Sequence, residues 1–209
     1  MKFVITLIIL IFILGSCGKK SDPQYQGSIN NFTKIIWYMS YIRYKNNNLF
    51  VENVSVKRLA SKLSTPFYLY SEADIIENYK SFANSFKKTK PLICFSVKAN
   101  SNIQILRVLK KMGSGADVVS GGELLKAIKS GIKPNKIVFS GVGKTEEEIK
   151  LAIRKNILLI NVESENEAIL INKIAGNLKK KIAIGVRLNP DINAPTHKKI
   201  STGKAEDKF

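Results

Sequence analysis

The sequence predicts an α/β fold built on a parallel sheet, and two observations predict it. Between residues 67 and 189, short apolar runs rich in β-branched and aromatic residues alternate with longer amphipathic segments. Five of those longer segments open on a Ser or Thr with an acidic residue or Gln three positions later. That spacing lets a side-chain oxygen cap the first free N–H groups of a helix while the later side chain reaches back. Strand–helix units repeated in this way bring successive strands into parallel register, with the helices as crossovers.

The expected strands, in order, are "FYLY" (67–70), "LICFSV" (92–97), "ADVV" (116–119), "KIVFS" (136–140), "LLINV" (158–162) and "KIAIGVRLN" (181–189). The helix starts that follow the first five are Ser71/Asp74, Ser101/Gln104, Ser120/Glu123, Thr145/Glu148 and Ser164/Glu167. Segments such as "NIQILRVLKKM" and "EEEIKLAIRKN" carry apolar residues at helical spacing, with lysines on the opposite face. A complete (β/α)8 barrel needs about 250 residues. Here the chain ends at "STGKAEDKF" with no helix after the last strand. The expectation is therefore a partial TIM-like barrel, truncated after about five strand–helix units, with a small open sheet as the alternative.

The remainder of the chain narrows the function. Its 209 residues are 44% hydrophobic, enough for one sizeable core. Lys and Arg number 34 against 16 Asp and Glu, a formal charge of +18. The cations are spread along the chain, in short runs such as Lys179-Lys180-Lys181, and no nucleic-acid-binding motif accompanies them, so no nucleic-acid partner is expected. Two cysteines, Cys17 and Cys94, build neither a disulfide framework nor a zinc site. A single histidine, His197, rules out a multi-histidine metal centre.

Residues 1–17 have the shape of a secretory signal: Lys2, then an apolar run over 3–14 broken only by Thr6. The run is short for a membrane span. Its ending, Leu14-Gly15-Ser16-Cys17, resembles a bacterial lipobox, which implies a lipid anchor on Cys17; an uncleaved apolar terminus with an incidental cysteine is the alternative. Residues 18–38 read as a polar tether. Met39 opens a second beginning, with 39–66 as a lead-in to the domain expected over 67–209.

Chemistry in α/β folds gathers at the C-terminal ends of parallel strands. Lys98 sits there, one residue past "ICFSV". Such a lysine either snorkels into solvent or, partly desolvated, serves as a Schiff-base nucleophile. "SGVGKTEEE" (140–148) has the outline of a phosphate loop, but the position that needs glycine is Val138. Gly141 and Gly143 therefore read as a tight turn and Thr145 as a helix cap. In "SGGE" (120–123) a glycine pair opens a helix where backbone N–H groups could approach an anion. Cys94 reads as a packed core residue.

"FSVKANSN", "GADVVSGGEL", "KIVFSGVGKTEEEI", "NVESENE", "RLNPDINAPTHKKISTG" and "KF", in this order and at these separations, resemble the N-terminal half of the diaminopimelate decarboxylase family. That family belongs to the alanine-racemase-like, fold-type III pyridoxal-phosphate enzymes. The resemblance runs from about Met39 to Phe209. It implies that Lys98 is the Schiff-base lysine for pyridoxal 5'-phosphate on the first barrel strand, and that Asp117 and Arg187 line the cofactor pocket. It also implies decarboxylation of meso-2,6-diaminoheptanedioate to L-lysine, a homodimer and a cytoplasmic setting. In the family, the ring-stacking histidine, the glycine-rich phosphate turn and an acidic loop belong to later segments; His197 is not that histidine. A chain ending at Phe209 is thus expected to be inactive alone. Two alternatives stay open: a membrane-anchored lipoprotein carrying a catalytically dead barrel, and an ornithine, arginine or carboxynorspermidine decarboxylase of the same fold.

Overall fold

The structure, a computed structural model, describes residues 41–188 and Asp191, and these divide between Lys90 and Pro91 into two units. The expected signal, tether, Cys17 and His197 lie outside the described residues.

The first unit begins with three antiparallel strands, β1 (Ile42–Lys45), β2 (Asn48–Val51) and β3 (Val54–Ser55). Asn46 and Asn47 join β1 to β2 with φ of 48° and 57°. Two left-handed residues give a turn whose twist matches paired strands, and Asn tolerates that conformation better than most residues. A short helix, α1 (Val56–Ala60), follows, then α2 (Glu72–Ser85), capped by Ser71 as expected. Glu52 ties the strands to α2: its Oε1 accepts from Ser71 Oγ at 2.8 Å and from the Ala73 N–H at 3.0 Å. Residues 67–70, expected as a strand, pair with no described strand, and Tyr68 is 89% exposed. An apolar β-prone run becomes a strand only when a neighbour accepts its backbone hydrogen bonds.

The second unit holds the parallel sheet. Its strands are β4 (Cys94–Ser96), β5 (Gly115–Val118), β6 (Ile137–Phe139), β7 (Leu159–Val162) and β8 (Ile184–Val186), adjacent in sequence order and parallel throughout. The helices α3 (Ile103–Lys111), α4 (Gly121–Lys129), α5 (Glu146–Lys155) and α6 (Glu165–Asn177) connect them. Four β/α units and a fifth strand make a partial barrel, one unit fewer than expected because residues 67–70 add no strand.

Alternation along the strands sorts the side chains onto two faces. Val97, Ala116, Val118, Ile137, Phe139 and Ile160 are fully buried and form one apolar cluster with Leu106, Leu124, Ile149 and Ile153 of the helices. The opposite face carries the register neighbours Ser96, Asp117 and Val138. Helix-facing positions are thus uniformly apolar, while polar residues are confined to the other face.

Capping follows the sequence in four of five cases. Ser71, Ser120, Thr145 and Ser164 accept from the N–H three residues on, and Thr145 with Glu148 forms a full capping box. The exception is α3, where Asn102 caps and Ser101 does not: the Asn102 amide oxygen accepts from Gln104 N–H at 2.9 Å. Ser101 instead accepts from Lys126 Nζ at 2.8 Å. Strand ends are also shorter than expected. The run 92–97 yields only Cys94–Ser96 before the chain turns into a 3-10 segment at Val97–Ala99, and 181–189 yields Ile184–Val186.

The anion that the glycine pair of "SGGE" accommodates is a side chain of the protein itself. Glu148 Oε1 accepts from the Gly121 N–H at 2.7 Å, and a Cβ at Gly121 would lie 3.1 Å from Glu148 Cγ. Glu148 therefore closes two helix starts, with its other oxygen accepting from Thr145 N–H at 3.0 Å.

Those backbone donors hold the Glu148 carboxyl below the usual carboxylate range, the Gly121 bond contributing most. Because the folded value lies below the unfolded one, the stabilisation is complete above the unfolded carboxylate range and fades as pH falls through the lower folded value. Glu148→Gln is expected to lower Tm at about pH 7 and to leave it nearly unchanged at about pH 2. Thermal melts across that range read the difference.

Candidate functional site

The C-terminal ends of the five strands bring polar groups together on the face away from the helices. Lys98 lies just past β4, exposed, within the 3-10 turn rather than on the strand. That turn swings it clear of the ladder that ends at Ser96. Asp117 is in β5, next to Ser96 in register and 2% exposed. Arg187 follows β8, its backbone N–H donating to Val162 O at 3.1 Å.

Two hydrogen-bonded groups organise this face. In the first, Ser140 Oγ donates to Asp117 Oδ1 at 2.6 Å, Ser96 Oγ to Oδ2 at 3.4 Å, and Asn161 Nδ2 to Ser140 Oγ at 2.9 Å. In the second, Glu163 accepts from the Gly141 N–H at 2.9 Å and from Arg187 at 3.4 Å. Gly141 adopts φ of +97°, a conformation few side-chain-bearing residues take, and this turns its N–H onto Glu163. Glu163's own N–H is held by Glu167 at 2.8 Å.

Burial sets the electrostatics. It pushes the Asp117 carboxyl above the usual carboxylate range, an effect opposed by the Ser140 bond and by the nearby positive charge of Lys98. Burial likewise pushes the Cys94 thiol up to about 12, which keeps it neutral and fits its expected packing role.

Of the residues the sequence singled out, Lys98 and Asp117 share one neighbourhood, and Arg187 joins the same sheet edge through Glu163. Sequence reasoning missed Ser140, Asn161, Glu163 and Lys144. Ser140 and Glu163 are polar residues at or just past the end of an apolar run, and Asn161 interrupts one, but their grouping follows only from strand register. Lys144 carried no usable signal. Inside the loop that mimics a phosphate-binding motif, its side chain is only 1% exposed, and its Nζ donates to Gly141 O and Asn161 O, both at 2.7 Å, and to Glu167 Oε1 at 3.0 Å. All three ammonium protons are accounted for, and the Phe139 ring centroid lies 5.8 Å away. This lysine is a structural tie between the β6–α5 loop, β7 and α6. The clefts of the first unit, one lined by Arg43, Phe50 and Glu52 and another by Tyr41, Glu77 and Lys80, include none of these residues.

A buried ion pair broken on one side leaves an uncompensated charge. Lys144→Met is expected to cost about 3–5 kcal/mol of stability, with part recovered when Glu167→Leu is added. Denaturant titration of the two variants measures both.

The family model described as "Pyridoxal-dependent decarboxylase, pyridoxal binding domain" matches residues 72–209. Among curated proteins, diaminopimelate decarboxylase of Aquifex aeolicus is 46% identical over 172 residues, covering 82% of this chain and 40% of that protein. Among solved structures, diaminopimelate decarboxylase from Helicobacter pylori, complexed with L-lysine, is similar with a TM-score of 0.71 and 49% identity over 73% of this chain and 39% of that one. The enzyme from M. jannaschii, also with L-lysine, gives a TM-score of 0.72 and 41% identity, covering 80% and 40%. This chain spans about 40% of the length of the curated relatives it matches. With strand-end lysine, parallel sheet and matched region in agreement, the chain belongs to the pyridoxal-dependent decarboxylase family, and the match falls on that family's pyridoxal-binding domain.

Proposed function

We propose that this chain carries the Schiff-base lysine and part of the cofactor pocket of a pyridoxal 5'-phosphate-dependent decarboxylase that converts meso-2,6-diaminoheptanedioate to L-lysine. The observation that carries the reading is an exposed lysine, Lys98, just past the end of a parallel strand, with the buried Asp117 within its electrostatic reach. The substrate is inferred from likeness to proteins named diaminopimelate decarboxylase at 42–51% identity.

The residues present fit the cofactor. A primary amine accessible to solvent suits an aldehyde, and one acidic and one basic side chain at the same sheet edge suit an anionic, ring-protonated ligand. Lys98 would hold the cofactor through its amine. Asp117, braced by Ser140, would present a fixed carboxylate beside that amine. Arg187, held by Glu163, would supply a cation that keeps its orientation without the ligand. When bound, the cofactor supplies an electron sink for the carbanion left as carbon dioxide departs. The protein's part is to orient groups and set the local field. A homodimer and a cytoplasmic setting for residues 39–209 belong to the same proposal. Among the described residues no helix is long and apolar enough to cross a membrane.

Incubating the full chain with pyridoxal 5'-phosphate, reducing with borohydride and mapping the peptides tests this reading. A single reduced adduct on Lys98, lost in Lys98→Ala, is the expected result. Adducts scattered over surface lysines, or none on Lys98, would contradict it.

A further inference from the structure

The hydrogen bonds around Ser140 have a direction that their chemistry forces. An amide nitrogen can only donate, so Asn161 Nδ2, at 2.9 Å, occupies an acceptor site on Ser140 Oγ. With Asp117 ionised, its carboxylate can only accept, and the single hydroxyl proton of Ser140 then lies on the 2.6 Å line to Oδ1. The three residues come from neighbouring strands: Asp117 from β5, Ser140 just past β6 and Asn161 from β7. Ser140 is itself fixed, 8% exposed and with its backbone N–H donating to Val118 O at 2.8 Å.

We propose that Asn161 and Ser140 are positioning residues: together they form a one-directional relay that commits the Ser140 proton to Oδ1 of Asp117 and leaves Oδ2 as the oxygen that serves the strand-end site. This inference rests on the reading of Asp117 as a residue of the cofactor pocket. Among the described residues Oδ2 receives the longer 3.4 Å contact from Ser96 Oγ, so it is the less strongly engaged of the two oxygens. Linked bonds also polarise one another where water is excluded, so the amide strengthens the hydroxyl's bond to the carboxylate.

The relay acts against a defined background. Asp117 faces Ser96 and Cys94 from β4, Lys98 from the turn that follows it, Ser140 from the end of β6 and Glu163 from the end of β7. Burial and Glu163 favour the neutral carboxyl; Lys98, Ser140 and Ser96 favour the carboxylate. Cys94 stays protonated across the working range and adds no charge.

The test is a carboxyl titration of Asp117 in the full chain labelled with 13C at aspartate Cγ, followed by NMR, with Asp117→Asn assigning the signal. A hydrogen bond to a charged group corresponds to about one pH unit or more. Ser140→Ala is thus expected to raise the Asp117 midpoint by about one unit, and Ser140→Thr, which keeps the hydroxyl, to restore it. Asn161→Leu is expected to raise the midpoint by less, and to add nothing in the Ser140→Ala background. That non-additivity is what a merely structural role would not produce. An unchanged or lowered midpoint in Ser140→Ala, or additive shifts in the double variant, would overturn the relay. Borohydride trapping on the unsubstituted chain separates this outcome from the reading it rests on. A normal Lys98 adduct with an unmoved titration sinks the relay alone; a missing adduct with the predicted shifts sinks the cofactor assignment alone.

Discussion

The Glu163 carboxylate is the contact on which the strand-end face depends. One oxygen holds the Gly141 N–H and the other holds Arg187, so a single side chain at the end of β7 fixes the loop after β6 on one side and the residue after β8 on the other. Its backbone is fixed in turn by Glu167, whose other oxygen pairs with the buried Lys144. Lys144 then returns to Gly141 and Asn161. The result is a closed circuit of donors and acceptors across adjacent β/α units, in which the loop after β6 is held by a carboxylate from the unit that follows it. Glu148 does the same one unit earlier, where it reaches the start of α4. Buried polar networks of this kind specify geometry when each member is satisfied, and are costly when one is not.

The β/α arrangement also gives some of the charges defined places. Helices α4, α5 and α6 carry acidic residues in their first turns, and α3, α4 and α5 carry lysine or arginine in their last. Each sign sits where the helix dipole favours it. A parallel β/α unit places all helix starts near the strand C-termini, so the first-turn carboxylates lie on the functional edge and the last-turn cations on the opposite one. Some of those cations satisfy backbone groups directly. Lys180 donates to Arg154 O at 3.1 Å, and Lys136 to Gly113 O at 3.0 Å. Part of the formal charge of +18 thus has a local structural use.

Much of the fold was legible in the sequence, for reasons specific to particular residues. The helix starts at Ser120, Thr145 and Ser164 were readable because capping is a short-range hydrogen bond between side chain and backbone. The parallel strands were readable because both faces select residue type. Residues 67–70 misled because β-propensity is local while strand pairing is not. The three strands of the first unit went unread, although Asn46-Asn47 between "IRYK" and "NLFV" carried a hairpin signal. At the site, Lys98 stood out by position and by resemblance, and Asp117 by resemblance. The groups that brace them did not: Ser140 and Asn161 acquire their meaning only when register sets neighbouring strand ends side by side, and Lys144 resembles part of a phosphate loop until its three acceptors are seen.

The strand-end face is assembled in advance by the chain's own carboxylates. Native-state amide hydrogen exchange at Gly141 and Gly121, compared between the unsubstituted full chain and Glu163→Ala, measures this. Both amides are expected to be protected in the unsubstituted chain, and Glu163→Ala to expose Gly141 while Gly121, held by Glu148, stays protected. Rapid exchange at both amides in the unsubstituted chain would contradict that assembly.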